Sequence, residues 1–257
     1  MEDIKEWQQR PLDPVYFVVW MDGIVVKVRQ NGKVQGKTIY LMIGLKQNEL
    51  KEVLGMWISE TESASFWLSV LTDIKAPGVK DILIASTDNL PGIRQAIRSA
   101  FPHTITHPCV VHQIRNSVRY VVWKDREQFL SDLKYVYGAI NRDMAHDALE
   151  DFAKKWGQKY AYTVKSLKDN WDELTAYFDY PQEISRNIYT TNAIESLNSS
   201  ILKYTKTKTV FPDDQAALKA VYLAVANIEK KWTYLVRDWG SVINQIIIIF
   251  EDRCGVL

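Results

Sequence analysis

The sequence predicts an α/β fold in which a mixed sheet with flanking helices is followed by a block of helices. Strand-forming residues dominate from Val15 to about Val111, and strand signals stop from His112 to about Tyr180, where apolar residues recur at helical spacing. The chain has 257 residues and 47% hydrophobic content, which is enough for a sizeable core. The expected parts are a lead-in at 1–14, a first core part at 15–111, a helical insertion at 112–180, and a second core part with C-terminal helices at 181–257.

The predicted sheet begins with three consecutive strands, "VYFVVWMDGIVVKV", "KTIYLMIGL" and "KEVLGMWIS", which are rich in Val, Ile, Tyr and Trp. Their short joins predict an antiparallel meander. A helix follows from about Ser63 to Lys75, and "DILIAS" then has the character of a buried strand. An amphipathic helix at "LPGIRQAIRSAF" and a short strand near Thr104 to Val111 complete the order β-β-β-α-β-α-β.

The helical block contains two long segments, "RNSVRYVVWKDREQFLSDLKYVYGAI" and "DMAHDALEDFAKKWGQKYAYTVKSL", with apolar residues three and four positions apart. Further helices are predicted over 192–203, 212–231 and 233–250. Tryptophans are expected to pack between these helices, because burial of their large rings dominates core energetics. The tryptophans concerned are Trp123, Trp156, Trp171, Trp232 and Trp239.

The charges nearly cancel, with 32 basic and 31 acidic residues and a formal net charge of +1. Any nucleic-acid binding must therefore come from local patches. Two cysteines make no disulfide framework and the polar start "MEDIKEWQQRPLDP" lacks the apolar core of a signal peptide, so we expect a protein of the reducing cytoplasm. The longest apolar run, "IIIIF" at 246–250, is far short of the roughly 18 residues that cross a bilayer, so no membrane span is expected.

Two aspartates are candidate ligands for a metal ion. Asp22 lies within the apolar stretch "VVWMDGIVV", where a buried carboxylate is costly unless it is paired or coordinates a metal. The adjacent Gly23 leaves room for a ligand or a close backbone, although Asp-Gly is also a common hairpin turn or bulge. Asp88 follows the strand "DILIAS", at the carboxyl end where open sheets place ligand-binding groups, and it is equally suited to cap the next helix.

Glu195, in "IYTTNAIESLN", has two interpretations. In the first, Asn192 caps a helix and Glu195 reaches back to the cap, which is a capping box. In the second, Glu195 is a third metal-binding carboxylate. If the first and fourth strands are adjacent, Asp22 and Asp88 can face one site, and a helix across the sheet brings Glu195 to it. A pair of Mg²⁺ ions needs such hard oxygen ligands from several elements.

Spaced motifs from about Glu6 to Arg253 carry a resemblance to a known family: "MDGIVVKVR", "GVKDILIASTDNL", "CVVHQIRNSVRYVVWKDR", "KKWGQKY", "NWDEL", "YTTNAIESLN" and "KKWTYLVRDWG". The chain resembles the catalytic part of mutator-type bacterial insertion-sequence transposases, which belong to the DDE type. The resemblance implies a ribonuclease H-like core interrupted by an all-helical insertion. It also implies that Asp22, Asp88 and Glu195 are catalytic and hold Mg²⁺ or Mn²⁺, with Asp22 shared between two ions.

The function implied by the resemblance is two-metal-ion DNA strand cleavage and strand transfer at insertion-sequence ends. The implied partners are element-end and target DNA, on which the chain would form a homo-oligomer, in the bacterial cytoplasm at the nucleoid. Family members usually carry a further N-terminal DNA-binding region, and this sequence begins just before the catalytic core, so we expect a truncated copy. The family commonly has Asp-Gly where this chain has Asp88-Asn89, and Asn also tolerates left-handed backbone angles.

Two other functions fit the same residues. One is a metal-dependent nuclease of the same fold, which would cut DNA without joining it. The other is a catalytically silent truncated transposase that acts as a DNA-binding regulator.

Cys109 and His112 form a C-x-x-H pair. A zinc site would need two more soft ligands, and His103 and His107 are the only histidines nearby in the sequence. The resemblance implies a structural role, or one next to the active site, for Cys109 and His112.

Two basic segments are candidates for DNA contact. "ILKYTKTKT" carries Lys203, Lys206 and Lys208 without an acid, and it is either a solvated loop or a contact to the DNA backbone. Its Tyr204 could stack on an unpaired base. Arg115 and Arg119, one helical turn apart, form the second candidate patch.

Overall fold

The computed structural model describes residues 2–87, 92–181, 184–185, 192–232 and 239–254, without the side chains at 111, 112, 116 and 192. The chain forms two compact units, Met1–Thr106 with Thr191–Leu257, and His107–Thr190. The first unit contains most of a mixed sheet, and every described element from Val110 to Asp179 in the second unit is helical. The predicted boundaries at 112 and 180 stay a prediction.

The sheet has five strands in the order β3-β2-β1-β4-β5. Strand β1 pairs antiparallel with β2 and parallel with β4, and β2 pairs antiparallel with β3. The predicted meander of three strands and the adjacency of the first and fourth strands are confirmed. The strands are β1 (Val15–Gln30), β2 (Lys33–Leu45), β3 (Lys51–Ser59), β4 (Asp81–Thr87) and β5 (Ile105–Pro108).

Helices connect and follow these strands. In the described residues they are α1 (Glu2–Gln8), α2 (Ala64–Lys75), α3 (Ile93–Ala100), α4 (Val110–Arg119), α5 (Trp123–Tyr137), α6 (Arg142–Trp156), α7 (Ala161–Asp169), α8 (Trp171–Thr175), α9 (Asn192–Thr205), α10 (Asp214–Glu229) and α11 (Trp239–Phe250), with 3₁₀ turns at Ala176–Asp179 and Glu251–Cys254. Ser63 caps α2 by accepting from the N–H of Phe66 at 3.1 Å, close to the predicted helix start. No helix in the described ranges is long and apolar enough to span a bilayer.

The turn between β1 and β2 is formed by Asn31 and Gly32, not by Asp22 and Gly23. Asn31 has a φ of 50° and Gly32 a φ of 76°, the left-handed angles that a two-residue type I′ hairpin requires. Asp22 and Gly23 pair in unbroken register with Leu41 and Tyr40. The hairpin and bulge interpretations of the Asp-Gly pair are therefore wrong, because the strand continues through it.

The two faces of the sheet are covered by different helices. On one face, α2 and α3 pack over a core that includes Val19, Met21, Tyr40 and Trp67. On the other face, α9 packs against β1 and β2, and α10 packs against β3. Since successive strand residues point to opposite faces, Met21 and Asp22 serve different layers.

The helical unit has a core of its own around Phe129, whose ring lies 4.9 Å from that of Phe152 and 5.4 Å from that of Trp156. Trp156 and Trp239 are buried, as expected, each within its own unit. Trp123 is 84% exposed, so its predicted packing is wrong. Trp123 is the first residue of α5 and has Arg126 over its ring at 5.6 Å, which gives the ring a charged partner without burial.

We predict that Arg253→Lys lowers the free energy of unfolding by about 1 kcal/mol, because lysine lacks the planar fork that makes two parallel bonds to one carboxylate. Arg253 donates from Nε and Nη2 to the two carboxylate oxygens of Asp81, at 2.9 and 3.0 Å. Urea unfolding measures the change. Arg98→Lys, at an exposed position on α3, is the matched control, and equal effects of the two substitutions would contradict the prediction.

Candidate active site

Asp22 is located where strand β1 leaves its parallel partner. The pairing of β1 with β4 extends to Met21, opposite Thr87, and β1 then continues beside β2 as far as Gln30. Asp22 is only 8% exposed. A carboxylate this deeply buried needs hydrogen-bond donors or a positive charge nearby.

Among the described residues, two donors contact the Asp22 carboxylate. The backbone N–H of Gly23 donates to Oδ1 at 2.7 Å, and Nδ2 of Asn198 donates to Oδ2 at 2.6 Å. Asn198 is also 8% exposed, so the second bond joins two buried side chains. A carboxylate has about four acceptor sites, so these two bonds do not by themselves exhaust its capacity.

Asn198 belongs to α9, and the sequence explains why this helix lies on the sheet. Its apolar residues recur at helical spacing and are buried, as a helix with one core-facing stripe requires. The buried stripe consists of Ile194, Leu197, Ile201 and Thr205, and Asn198 lies among them. The helix is thereby held against β1 and β2 in an orientation that points Asn198 at Asp22.

Glu195 precedes Asn198 by one turn on the same helix and is partly exposed. Residues three apart in a helix are neighbours on one face, separated by about 4.5 Å along the axis. Glu195 therefore lies one turn from the residue that contacts Asp22. That Asp22 and Glu195 face one site stays a prediction.

Asp88, the third predicted ligand, lies outside the described residues. Among the described residues, which do not include Asp88, no group of three His, Cys, Asp or Glu side chains could hold a metal ion. The metal triad therefore stays a prediction. The capping interpretation also stays one, because α9 begins at Asn192, whose side chain is not described.

The sequence suggested that Gly23 leaves room for a ligand beside Asp22. The structure shows no such room at Gly23. A Cβ at Gly23 would meet Cγ2 of Thr38 at 2.5 Å and the ring of Tyr40 at 3.2 Å. Tyr40 belongs to the core under α2, on the face opposite Asp22. The glycine is needed for close packing between β1 and β2.

A basic groove lies further along β1, bounded by the end of α9 and the segment that follows it. Its volume is about 560 Å³. The segment returns to the strand at Phe211, whose N–H donates to the carbonyl of Lys27 and whose carbonyl accepts from the N–H of Arg29, both at 2.8 Å. The lining of the groove includes four exposed lysines, which form no ion pair with any described residue: Lys27, Lys203, Lys206 and Lys208.

An ion cluster around the buried Lys37 attaches the start of α10 to β2. Nζ of Lys37 lies 2.8 Å from Asp214 at the start of α10 and 2.9 Å from Glu60. The hydrogen bond to Asp214, followed by that to Glu60, raises the pKa of Lys37 above its ordinary value. At the other end of α10, Glu229 accepts from the N–H of Val53 at 2.7 Å, and burial raises the pKa of its carboxyl.

The remaining predicted residues belong to the helical unit. Cys109 is buried immediately before α4, and Arg115 and Arg119 are exposed one turn apart on that helix. His112 is within α4, but its side chain is not described. The roles proposed for these four residues stay predictions.

Two residues of the site were missed from the sequence. Asn198 had a detectable signal, because it is a polar residue inside an apolar stripe of i, i+3 and i+4 spacing. Lys27 had none, because it joins the groove only through the return of the chain to β1 at Phe211.

Comparison with known proteins decides the family. The sequence model of the Mutator family of transposases matches residues 1–235. The chain belongs to this family. A probable transposase for an ISRM3-like insertion sequence element from Sinorhizobium fredii is 40% identical over 254 residues, 98% of this chain. The transposase for insertion sequence element ISRM3 from Rhizobium meliloti is also 40% identical over 98% of the chain.

This Mutator-family chain spans 64% of the length of each of these two relatives. A probable insertion-sequence transposase from Corynebacterium diphtheriae is 36% identical over 98% of the chain, which covers 80% of that relative. The match includes the segments that carry Asp22 and Glu195.

We predict that Gly23→Ala lowers the free energy of unfolding by about 1–3 kcal/mol, because the added methyl group overpacks the contact with Thr38 and Tyr40. Thermal or urea unfolding measures the loss. Gly36→Ala on β2 is the matched control, since its Cβ would have a single neighbour, Val25, at 3.8 Å. A Gly23→Ala variant as stable as the parent would show that the packing is not tight.

Proposed function

We propose that this chain is the catalytic part of a DDE-type transposase and catalyses DNA strand cleavage and strand transfer at insertion-sequence ends. The observation that carries the proposal is the hydrogen bond between Asn198 and Asp22. It brings the helix that carries Glu195 to the strand that carries Asp22, in a member of a transposase family. Element-end DNA and target DNA are the proposed substrates, acted on by a homo-oligomer.

The proposed ligands for divalent ions are Asp22, Asp88 and Glu195. Asp22 and Glu195 supply hard oxygen donors, which suit Mg²⁺ or Mn²⁺. Asn198 adds a buried amide oxygen that accepts no hydrogen bond from a described residue. This donor set fits a hard divalent cation. Support for Asp88 is indirect: it follows Thr87, and Thr87 pairs with Met21, the residue before Asp22.

When bound, two such ions would lower the pKa of a nucleophilic water or 3′-hydroxyl and stabilise the leaving 3′-oxygen. The protein residues hold and orient the carboxylates that would bind these ions. The N–H of Gly23 and the amide of Asn198 orient the Asp22 carboxylate, and the buried side of α9 holds Glu195 in place. None of these carboxylates has to act as a proton-transfer base in this scheme.

We also propose that the first unit is a ribonuclease H-like core. The support is its β-β-β-α-β-α-β order, with a long antiparallel meander and a parallel fourth strand beside the first. The helical segment then stands between β5 and α9 in the chain, before the helix of Glu195.

We predict that Glu195→Gln and Asp22→Asn each reduce cleavage of element-end DNA by about two orders of magnitude or more, because a neutral amide binds a hard cation poorly. The melting temperature of Glu195→Gln in metal-free buffer should stay close to that of the parent, because Gln retains the shape and any capping role of Glu. Cleavage and melting are measured on the same preparations.

The matched control is Glu127→Gln, at an exposed position on α5, which should leave cleavage unchanged. Near-parental cleavage by Glu195→Gln would remove Glu195 from the catalytic set. A joining assay with a pre-cut 3′-hydroxyl end separates the transposase from a nuclease, which would cut without joining. DNA binding by a parent chain that neither cuts nor joins would favour the regulator.

We propose that the basic groove of Lys27, Lys203, Lys206 and Lys208 binds the DNA backbone. The four lysines present positive charge in a groove between β1, which also carries Asp22, and the end of α9 with the segment after it. Tyr204, beside the groove and 50% exposed, is available to stack on a base. Arg115 and Arg119 remain a second proposed DNA contact, on the helical unit.

We predict that replacing Lys203 and Lys206 by Gln weakens DNA binding and lowers its salt dependence. Each lost phosphate contact should reduce the slope of log K against log salt concentration by about 1. Fluorescence anisotropy with an element-end duplex at several salt concentrations measures the slope. Lys80→Gln, at an exposed position before β4, is the control, and an unchanged slope in the groove variant would exclude backbone contacts there.

A further inference from the structure

Asn198 is a buried polar residue that is not one of the three proposed carboxylate ligands. Its neighbours on the core-facing stripe of α9 are mainly apolar: Ile194, Leu197 and Ile201. An aliphatic residue would fill the same position without the cost of burying an amide. Asn198 instead donates a hydrogen bond from Nδ2 to Oδ2 of Asp22 at 2.6 Å, so its amide serves this carboxylate.

The orientation of the amide follows from the contact. With Oδ1 in place of Nδ2, two acceptors would face each other at 2.6 Å, so the nitrogen must be the atom that donates to Asp22. Oδ1 is then the other terminal atom of the same amide and does not take part in this bond. It is buried and accepts no hydrogen bond from any described residue, which is unusual for a buried polar atom.

We propose that Asn198 is a positioning residue that fixes the orientation of the Asp22 carboxylate for divalent-cation binding. Its Oδ1 remains a free acceptor of hydrogen bonds among the described residues. The proposal rests on the proposed function, because it takes Asp22 as a ligand of the cation. The N–H of Gly23 holds one carboxylate oxygen and Asn198 holds the other, so the carboxylate plane cannot rotate without losing a bond. Such outer partners set the orientation of metal ligands and strongly affect metal affinity.

A purely structural role is the competing explanation. In that case the bond only attaches α9 to β1, and its loss would change stability without changing cation affinity in the folded protein. Two measurements on the whole chain separate the roles, one independent of metal and one dependent on it.

The metal-independent measurement is NMR of the Asn198 side-chain amide in ¹⁵N-labelled protein without divalent ions. The resonance is assigned by its loss in Asn198→Leu. In the parent it should be shifted downfield and protected from solvent exchange, and Asp22→Ala should abolish both properties. An unshifted, rapidly exchanging amide in the parent would overturn the proposal, because the contact would not exist in solution.

The metal-dependent measurement is titration of Mn²⁺ by calorimetry. Asn198→Leu has nearly the shape of Asn without its donor, and it should weaken Mn²⁺ binding by about 10- to 100-fold. Ser196→Ala, at an exposed position on the same helix, should bind Mn²⁺ as the parent does. If Asn198→Leu does not fold, Asn198→Ser, whose short side chain cannot span the distance to Asp22, replaces it.

The outcomes are distinct. Parental Mn²⁺ affinity in a folded Asn198→Leu variant would overturn the positioning role and leave the proposed function standing. If the parent binds no Mn²⁺ although the amide contact is present, the metal site of the proposed function fails and the positioning role fails with it. Weakened binding in Asn198→Leu, with parental binding in Ser196→Ala, supports both.

Discussion

A carboxylate buried on the face of a sheet must have its oxygens hydrogen-bonded or neutralised. In the described part of the chain, the donors to Asp22 include the N–H of Gly23, which is local, and the amide of Asn198, which is 176 residues away. Rotation of helix α9 on the sheet would therefore break the bond from Asn198 to Asp22. The placement of Glu195, one turn before Asn198, follows from this constraint together with the apolar stripe of the helix.

Other polar contacts hold the elements around strand β1. Lys37 pins the start of α10 through Asp214, and Phe211 bonds to β1 on both sides of Val28. The second contact holds the segment after α9 beside β1, where Lys203, Lys206 and Lys208 line the same groove as Lys27. Lys27 is five residues from Asp22, about 16 Å along an extended strand. That separation is large enough for a cation-binding region and a phosphate-binding region to coexist without the lysine charge displacing the cation.

The sequence predicts most of the sheet, because strand periodicity and turn residues are local signals. It does not predict α1, whose seven residues are mostly polar and contain one buried residue, Ile4. Asp22 could be identified because a charge in an apolar strand is anomalous by itself. The bond to Asn198 could not, since its partner is distant in the chain and only the packing of α9 on β1 brings the two together. The exposure of Trp123 likewise depends on tertiary packing and not on local pattern.

Two adjacent residues of β1 show how the fold separates packing from chemistry. Gly23 faces the core under α2, where Thr38 and Tyr40 leave no room for a methyl group, while Asp22 faces α9. Because side chains alternate along a strand, consecutive residues face different sides of the sheet. The side under α2 is packed as core, and the side under α9 carries the proposed cation site. A change at Gly23 reaches the site only through its backbone N–H, which an alanine retains. A change at Asn198 on α9 acts on the Asp22 carboxylate directly, so substitutions at Gly23 and Asn198 test the packing of β1 and the proposed cation site separately.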